Sequence, residues 1–149
     1  MKTPFGGIDH LGIAVHDLAA ATETYRDVLG FAILGEETLP ERGLKVQFVD
    51  TGDARIELLG ATNDNSEISG FLKKRGEGIH HICVRVRDID GAVATMKERG
   101  AHVIGDGVQS GAHGTRVAFV HPKTTHGVLL ELVEHTPDNA DANTKEDSK

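Results

Sequence analysis

The chain has 149 residues, of which 38% are hydrophobic and 26% are charged, so it can bury one core of ordinary size and is not disordered as a whole. Lys and Arg number 16 against 23 Asp and Glu, for a net charge of −7. This balance and an aromatic content of only 4% exclude a basic or base-stacking surface for nucleic acid. A single cysteine, no signal peptide and no apolar run of membrane-spanning length predict a cytoplasmic protein without nucleic-acid or membrane partners.

An internal repeat organises the chain. Residues 8–18 and 79–89 share the order Ile, His, alternating aliphatic residues, Val, Asp and a last aliphatic residue. Alternation with period two predicts a strand in each copy. A helical pattern follows each strand, and it begins at an Asp suited to an N-cap and ends at a Gly suited to a left-handed stop. These residues are Asp17 and Gly30 in the first copy and Asp88 and Gly100 in the second.

Three further strands are predicted after each helix. They cover residues 31–37, 45–50 and 55–59 in the first copy and residues 102–105, 116–120 and 128–133 in the second. Each copy is thus a βαβββ module, and four strands with one helix leave one face of a sheet uncovered. We therefore predict an α+β fold in which two tandem modules form one curved eight-stranded sheet around a cleft. The alternative is an α+β sandwich without duplication.

The predicted domain limits follow from this repeat. A single domain spans residues 8–135, with module one at about 8–60, a linker at about 61–78 and module two at about 79–135. The linker contains a short helical stretch around residues 68–74. Residues 136–149 are polar, with no apolar side chain larger than Ala, and we expect this tail to be disordered.

The alternation of the two first strands separates the histidines. The larger aliphatic side chains of each strand share a face, which we expect to lie under the helices. His10 and His81 fall on the opposite, concave face, at equivalent positions of the repeat. His80, although adjacent to His81, falls on the other face. We therefore expect His10 and His81, but not His80, to point into the cleft.

The last strand of each module offers a matching carboxylate. Glu57 and Glu131 each stand between aliphatic residues, where a charge is costly unless it is paired, neutralised or bound to a metal. The pseudo-twofold axis of the repeat could bring these two residues together with His10 and His81. Two imidazoles and two carboxylates suit a divalent cation such as Co²⁺, Mn²⁺, Ni²⁺, Zn²⁺ or Mg²⁺. The alternative is a set of rim charges beside buried histidines.

Other polar residues are weaker candidates. Arg85, Arg116 and Lys123 could bind an anionic ligand, although each is equally suited to be a surface charge. Cys83 suits a small apolar filler of the core. The carboxylates that we expect on a solvated loop are Glu36, Glu37 and Glu41, of which Glu41 is close to a flexible Gly and could reach the cleft.

Several motifs together resemble a known family. These motifs are residues 8–15, 53–59, 63–66, 78–82, 111–114, 121–123 and 127–132, the last of which ends in Leu-Glu-Leu. From about Ile8 to Val133 the sequence resembles the methylmalonyl-CoA epimerases of the vicinal oxygen chelate superfamily, which has the glyoxalase fold. Each motif alone is weak, but the His-His doublet with the downstream His-Pro-Lys and Leu-Glu-Leu is specific in combination.

The resemblance implies a metal-dependent epimerase that acts on an acyl-CoA. Its metal ligands would be His10, His81 and Glu131, completed by Glu57 where the family has Gln or Glu, with Co²⁺ the first candidate ion. The reaction would interconvert (2R)- and (2S)-methylmalonyl-CoA by removal of the C2 proton, through an enolate whose charge the ion stabilises. Inversion needs a proton carrier on each face of C2, which assigns catalytic roles to Glu57 and Glu131.

One departure from the family is visible. Some members have a catalytic Glu on the strand where this sequence has Val46, and Glu57 is expected to compensate. Two other functions stay open. One is a glyoxalase I-like lactoylglutathione lyase, which shares the fold and the His-Glu-His-Glu set, and the other is a non-enzymatic module that binds a small molecule. We also expect a homodimer.

Overall fold

The computed structural model describes residues 3–136, which contain eight strands and four α-helices. The strands are β1 (Phe5–Ala14), β2 (Ala32–Leu39), β3 (Leu44–Asp50), β4 (Arg55–Ala61), β5 (Gly78–Val86), β6 (Gln109–Ser110), β7 (Arg116–Val120) and β8 (Leu130–Glu134). The helices are α1 (Leu18–Glu23), α2 (Glu67–Arg75), α3 (Ile89–Glu98) and α4 (Pro122–Thr125). All eight strands belong to one mixed sheet, so the predicted α+β class with a repeated βαβββ order is confirmed.

The chain divides into two compact units. Of the described residues, unit N is His10–His80, and unit C combines residues 3–9 with residues 81–136. The module limits inferred from the repeat stay a prediction. Of the tail expected to be disordered, residues 137–149 lie outside the described residues. Within residues 3–136, no helix is long and apolar enough to cross a membrane.

In unit N the strands are hydrogen-bonded in the order β2-β3-β4-β1, and only the β1–β4 pair is parallel. Helix α1 packs on one face, where Gly60 allows a close approach: a Cβ at Gly60 would lie 3.0 Å from the Cβ of Leu18. Helix α2 packs on part of the other face, and its Ile68 is buried in a cluster with Val46 and Leu59. The rest of that second face is left for the candidate site.

Unit C repeats this arrangement. Its strands have the order β5-β8-β7-β6, and β5–β8 is the parallel pair. Helix α3 packs on the face that carries Val84 and Leu132, and its Ile89 is buried in the same cluster. The opposite face has a second buried cluster of Cys83, Val117 and Val133. Cys83 is therefore an apolar filler, as predicted.

The predicted ends of the two repeated helices are confirmed. Asp17 and Asp88 each accept a hydrogen bond from the backbone N–H three residues further on, at 3.0 and 3.1 Å. Gly30 and Gly100, the predicted stops, have φ values of +82° and +94°, a region that glycine adopts at little cost. The first helix is shorter than its pattern suggests, because after Glu23 the chain continues as a π-helical turn.

Two predictions for strands of unit C are wrong. Residues 102–105 form no regular strand, and Val103 makes an isolated bridge instead. Gly105 and Gly107 turn the chain there with φ values of +64° and +97°, and the short strand β6 follows them. Strand β8 begins two residues later than predicted, after Gly127 with a φ of +108°.

Candidate active site

The first candidate pair lies in unit N, on the face that α1 does not cover. Strands β1 and β4 run parallel, and their register places His10 beside Arg55 and Gly12 beside Glu57. Glu57 reaches His10 across these two strands, and their Oε2 and Nδ1 atoms are 3.0 Å apart. The side chains are only 9% and 14% exposed. An imidazole nitrogen and a carboxylate oxygen are thus held together in a largely buried position.

The second candidate pair lies in unit C and has the same design. Strands β5 and β8 run parallel, with Cys83 in register with Glu131. His81 is two residues before Cys83 and therefore on the same face of the sheet. The Nε2 atom of His81 lies 3.5 Å from Oε2 of Glu131, and the side chains are 8% and 9% exposed. Each unit therefore presents one imidazole nitrogen and one carboxylate oxygen.

The surroundings of the two glutamates also match. A phenylalanine lies directly opposite each of them on the next antiparallel strand: Phe48 opposite Glu57 and Phe119 opposite Glu131. Side chains at directly opposite positions of neighbouring strands are close enough to touch. Each carboxylate therefore has an aromatic cross-strand neighbour, and the repeat seen in the sequence extends to these positions.

His80 has different surroundings from His81. Its ring packs edge-on against Phe71 of α2, with the ring centroids 5.0 Å apart. Successive side chains of a strand point to opposite faces. The two neighbouring histidines therefore contact an aromatic ring in one case and a carboxylate in the other.

Each pair has the chemistry and the spacing of half a metal site. Ligand atoms at about 2.0–2.2 Å from one small divalent ion lie roughly 3 Å apart when they occupy adjacent positions. The N–O separations of 3.0 and 3.5 Å are close to that spacing. A buried carboxylate also needs a compensating positive charge, which a divalent ion supplies. Imidazole with carboxylate suits Zn²⁺, Mn²⁺, Co²⁺ and Ni²⁺.

Unit C contains a cluster of polar side chains around the buried Asp9 that the sequence pattern did not predict. Asp9 is 2% exposed, and its Oδ1 atom accepts a hydrogen bond from Nε of Arg85 at 3.0 Å. The same oxygen lies 2.7 Å from Nε2 of His135. Arg85, a sequence candidate for anion binding, is thus engaged by Asp9. The partners of Asp9 are 76 and 126 residues away in the chain, so local patterns carry no signal for this cluster.

The other two candidate anion-binding residues differ in accessibility. Arg116 on β7 donates two hydrogen bonds to the carboxylate of Asp90, at 2.7 and 2.9 Å. The Asp90 carboxylate raises the pKa of Arg116, and the guanidinium holds the pKa of Asp90 below its usual range. Lys123 is exposed near the start of α4. Lys123 is therefore the more accessible cation of the two.

The three carboxylates expected on a solvated loop have different environments. Glu36 is exposed on β2, and Glu41 is exposed in the turn that follows this strand. Glu37 instead lies inside β2, and its Oε2 atom is buried. The loop prediction was wrong for Glu36 and Glu37, because β2 continues to Leu39, and the exposure prediction was wrong for Glu37, because the register of β2 shifts just before Glu36. Such an irregularity changes which side chains face the core.

Comparison with known proteins identifies the class of this protein. Residues 9–119 match the Glyoxalase/Bleomycin resistance protein/Dioxygenase superfamily. The chain is therefore a member of that superfamily. Over 129 residues it is 44% identical to the ethylmalonyl-CoA/methylmalonyl-CoA epimerase of Cereibacter sphaeroides, a match that covers 85% of this chain and 96% of the relative.

Solved structures narrow this class to one family. The methylmalonyl-CoA epimerase from Mycobacterium tuberculosis superimposes with a TM-score of 0.86 at 35% identity, covering 95% of both chains. A methylmalonyl-CoA epimerase in complex with methylmalonyl-CoA and NH₄⁺ gives a TM-score of 0.82 at 38% identity, covering 89% of this chain and 96% of the other. The chain has the glyoxalase fold and belongs to the methylmalonyl-CoA epimerase family.

Proposed function

We propose that this chain is an enzyme that interconverts (2R)- and (2S)-methylmalonyl-CoA. The observation that carries the proposal is the pair of matched half-sites, His10 with Glu57 and His81 with Glu131, one in each repeated unit. Family membership supports the substrate class, since the relatives are named for the epimerisation of acyl-CoA substrates.

The four residues of the half-sites are proposed to hold one divalent cation, with Co²⁺ as the first candidate. His10 and Glu57 supply two ligands from unit N, and His81 and Glu131 supply two from unit C. A divalent cation held by these residues would act as a Lewis acid and would supply stabilisation of the negative charge of the enolate. The support for this assignment is the short N–O spacing of 3.0 and 3.5 Å between largely buried donors.

The side chains of the enzyme have to move one proton. C2 of methylmalonyl-CoA lies between a thioester and a carboxylate, and a protein carboxylate removes its proton as a general base. Inversion requires removal of the proton from one face of C2 and its return to the other face. The repeat relates Glu131 of unit C to Glu57 of unit N, which makes them the first candidates for the two proton carriers.

Binding of CoA requires cationic contacts, because its phosphates are anionic and the chain has a net charge of −7. We assign this role first to Lys123, whose side chain is exposed. Arg116 is the second candidate, and its hydrogen bonds to Asp90 have to break before it can bind the substrate.

We also propose that the protein is a cytoplasmic homodimer. The buried thiol of Cys83 suits a reducing compartment, and light scattering of the purified protein tests the dimer.

Deuterium exchange at C2 tests the proposed function. The Co²⁺-loaded protein is incubated in D₂O with (2S)-methylmalonyl-CoA. A parallel reaction with ethylmalonyl-CoA tests whether the longer acyl group is also a substrate. We expect the (2R) product with deuterium at C2. The adduct of methylglyoxal and glutathione is the control substrate. Formation of lactoylglutathione without epimerisation would assign the chain to glyoxalase I chemistry, and no turnover of any substrate would favour a binding module.

A further inference from the structure

Glu57 and Glu131 each have two functions in the scheme above, as metal ligand and as proton carrier, and these functions conflict. A positive charge beside a carboxylate favours its deprotonated form and weakens it as a base. The Oε2 atom of Glu57 is also 3.0 Å from Nδ1 of His10. A further carboxylate in unit N that does not bind the metal would remove the conflict for one of the two proton transfers.

The register of the sheet places Glu37 on the same face as the His10–Glu57 pair. Glu37 is opposite Val46 on β3, and Val46 is opposite Leu59 on β4. Leu59 follows Glu57 by two residues, and side chains two residues apart in a strand share a face. Glu37 is therefore two strands and two residues away from Glu57, on the face that α1 leaves uncovered.

This separation is suited to a small ligand between the two glutamates. Neighbouring strands lie about 4.8 Å apart, and two residues along a strand span about 6.8 Å, so the Cα atoms of Glu37 and Glu57 are about 12 Å apart on a flat sheet. Both side chains extend from the same face. A small acyl group bound beside Glu57 therefore lies within the range of the Glu37 carboxylate.

Burial distinguishes Glu37 from the neighbouring acids. Its Oε2 atom is buried, as is Oε2 of Glu131 in unit C. Glu36 points to the opposite face, is exposed and lies 3.0 Å from Nζ of Lys45. Glu41 is exposed in the next turn. Glu37 is thus half-buried, with one carboxylate oxygen shielded from water on the face of the candidate site, whereas the two neighbouring acids are exposed.

The repeat provides no acid at the equivalent position of unit C. Val117 stands two residues before Phe119, as Val46 stands two residues before Phe48, and Gln109 is opposite Val117. A neutral amide does not exchange a proton as an acid or base near neutral pH. At these equivalent positions, therefore, unit N has a proton carrier and unit C has none.

We propose that Glu37 is the proton carrier of unit N and that Glu57 acts as a metal ligand. The inference rests on the proposed epimerase function. The Glu37 carboxylate accepts the C2 proton as the C–H bond breaks, and the electron pair left on the carbon delocalises onto the thioester oxygen. Glu131, which keeps both functions and carries the second proton, delivers that proton to the opposite face of C2. In the reverse direction the two residues exchange roles, so no oxidant or reductant is required.

The variant Glu37→Gln tests this assignment, with Glu36→Gln as the matched control on the opposite face. We expect Glu37→Gln to keep its Co²⁺ and its melting temperature but to lose turnover by about 10²–10⁴-fold. Deuterium exchange should persist, without inversion, for the one epimer that Glu131 deprotonates. A merely structural role would affect both epimers equally. Glu36→Gln should epimerise at the wild-type rate.

A conservative variant provides a second test. Glu37→Asp keeps a carboxylate at the same position, and we expect its turnover to exceed that of Glu37→Gln by about tenfold or more. If Glu37→Gln loses metal or stability, Glu37→Asp decides: turnover well above that of Glu37→Gln supports the proposal and equal turnover overturns it. Wild-type turnover in a metal-loaded Glu37→Gln overturns it as well. Failure of the wild-type protein to epimerise any substrate instead overturns the proposed function itself.

Discussion

The two adjacent histidines His80 and His81 have different surroundings. His81 lies 3.5 Å from the carboxylate of Glu131, whereas the ring of His80 packs against Phe71. The difference follows from the strand geometry of β5, in which successive side chains point to opposite faces. The chemistry available to a histidine is thus decided by its place on the strand and not by its type alone.

Metal content separates these two histidines experimentally. We expect His81→Ala to lose stoichiometric Co²⁺ and His80→Ala to retain it, because only His81 shares a face with Glu131. Each variant removes one imidazole from the same strand, so each is the control for the other. Elemental analysis after dialysis measures the bound ion. Equal loss in both variants, or loss in neither, would contradict the assignment of His81 as a ligand.

The variant Glu57→Gln tests whether Glu57 is a metal ligand or a proton carrier. We expect Glu57→Gln to keep Co²⁺ and to retain turnover within about tenfold of the wild type, since the amide keeps an oxygen ligand and Glu37 carries the proton. Steady-state kinetics with metal analysis measures both properties. A loss of about 10²–10⁴-fold with the metal still bound, beside an unaffected Glu37→Gln, would return the proton transfer to Glu57.

The contribution of Lys123 to CoA binding can be measured as a change in KM for the CoA ester. Lys123→Glu places a negative charge at an exposed position that we assign to the anionic part of the substrate. We expect KM for the CoA ester to rise by roughly tenfold while kcat changes little, as is typical of lost ground-state binding. Lys97→Glu, an equal change of charge at an exposed position of α3, is the control. An unchanged KM in Lys123→Glu would exclude Lys123 from the binding site.

At the scale of elements, helix α3 is tied to the sheet by its first turn. Asp88 caps the helix, and the next residue but one, Asp90, accepts two hydrogen bonds from Arg116 of β7. Acidic residues are favourable in the first turn of a helix because of the helix dipole. The ion pair between Asp90 and Arg116 thus joins the first turn of α3 to β7 of the same unit.

This pair predicts a dependence of stability on pH. Because Arg116 lowers the pKa of Asp90 in the folded state, the contribution of Asp90 is complete above the aspartate pKa of the unfolded chain, about 3.9, and is lost as pH falls through the lower folded value. We expect Asp90→Asn to be slightly less stable than the wild type at pH 7 and equally stable at low pH. Urea unfolding measures the difference, with Asp106→Asn as the control at another exposed aspartate. A difference that grows as pH falls would contradict this explanation.

At the scale of the whole molecule, the proposed cation couples metal binding to folding. An ion that binds only the folded state stabilises it, by about 2.7 kcal/mol at a free concentration one hundred times its Kd. For a chain of this size we expect chelation to lower Tm by roughly 5–10 °C. Thermal melts with and without a chelator, followed by addition of Co²⁺, measure the shift. His81→Ala should show little Co²⁺-dependent shift, and a shift equal to that of the wild type would contradict a site that includes His81.

Much of this protein can be predicted from local patterns. The repeat, the N-caps Asp17 and Asp88, and the glycine stops are properties of a few adjacent residues, and the structure has them where the sequence places them. Alternation along the first strands likewise predicts which face carries His10 and His81. These features need no partner strand, because backbone preference and side-chain periodicity are local.

Other features depend on residues that are distant in the sequence. The strand expected at 102–105 is replaced by β6, because glycine turns and the available partner on β7 decide where pairing occurs. Asp9 is buried through partners far along the chain. Glu37, expected in solvent, faces the candidate site because of a register shift in β2 and its pairing with Val46. Register and long-range ion pairs arise only when strands meet, so the tertiary structure alone decides them.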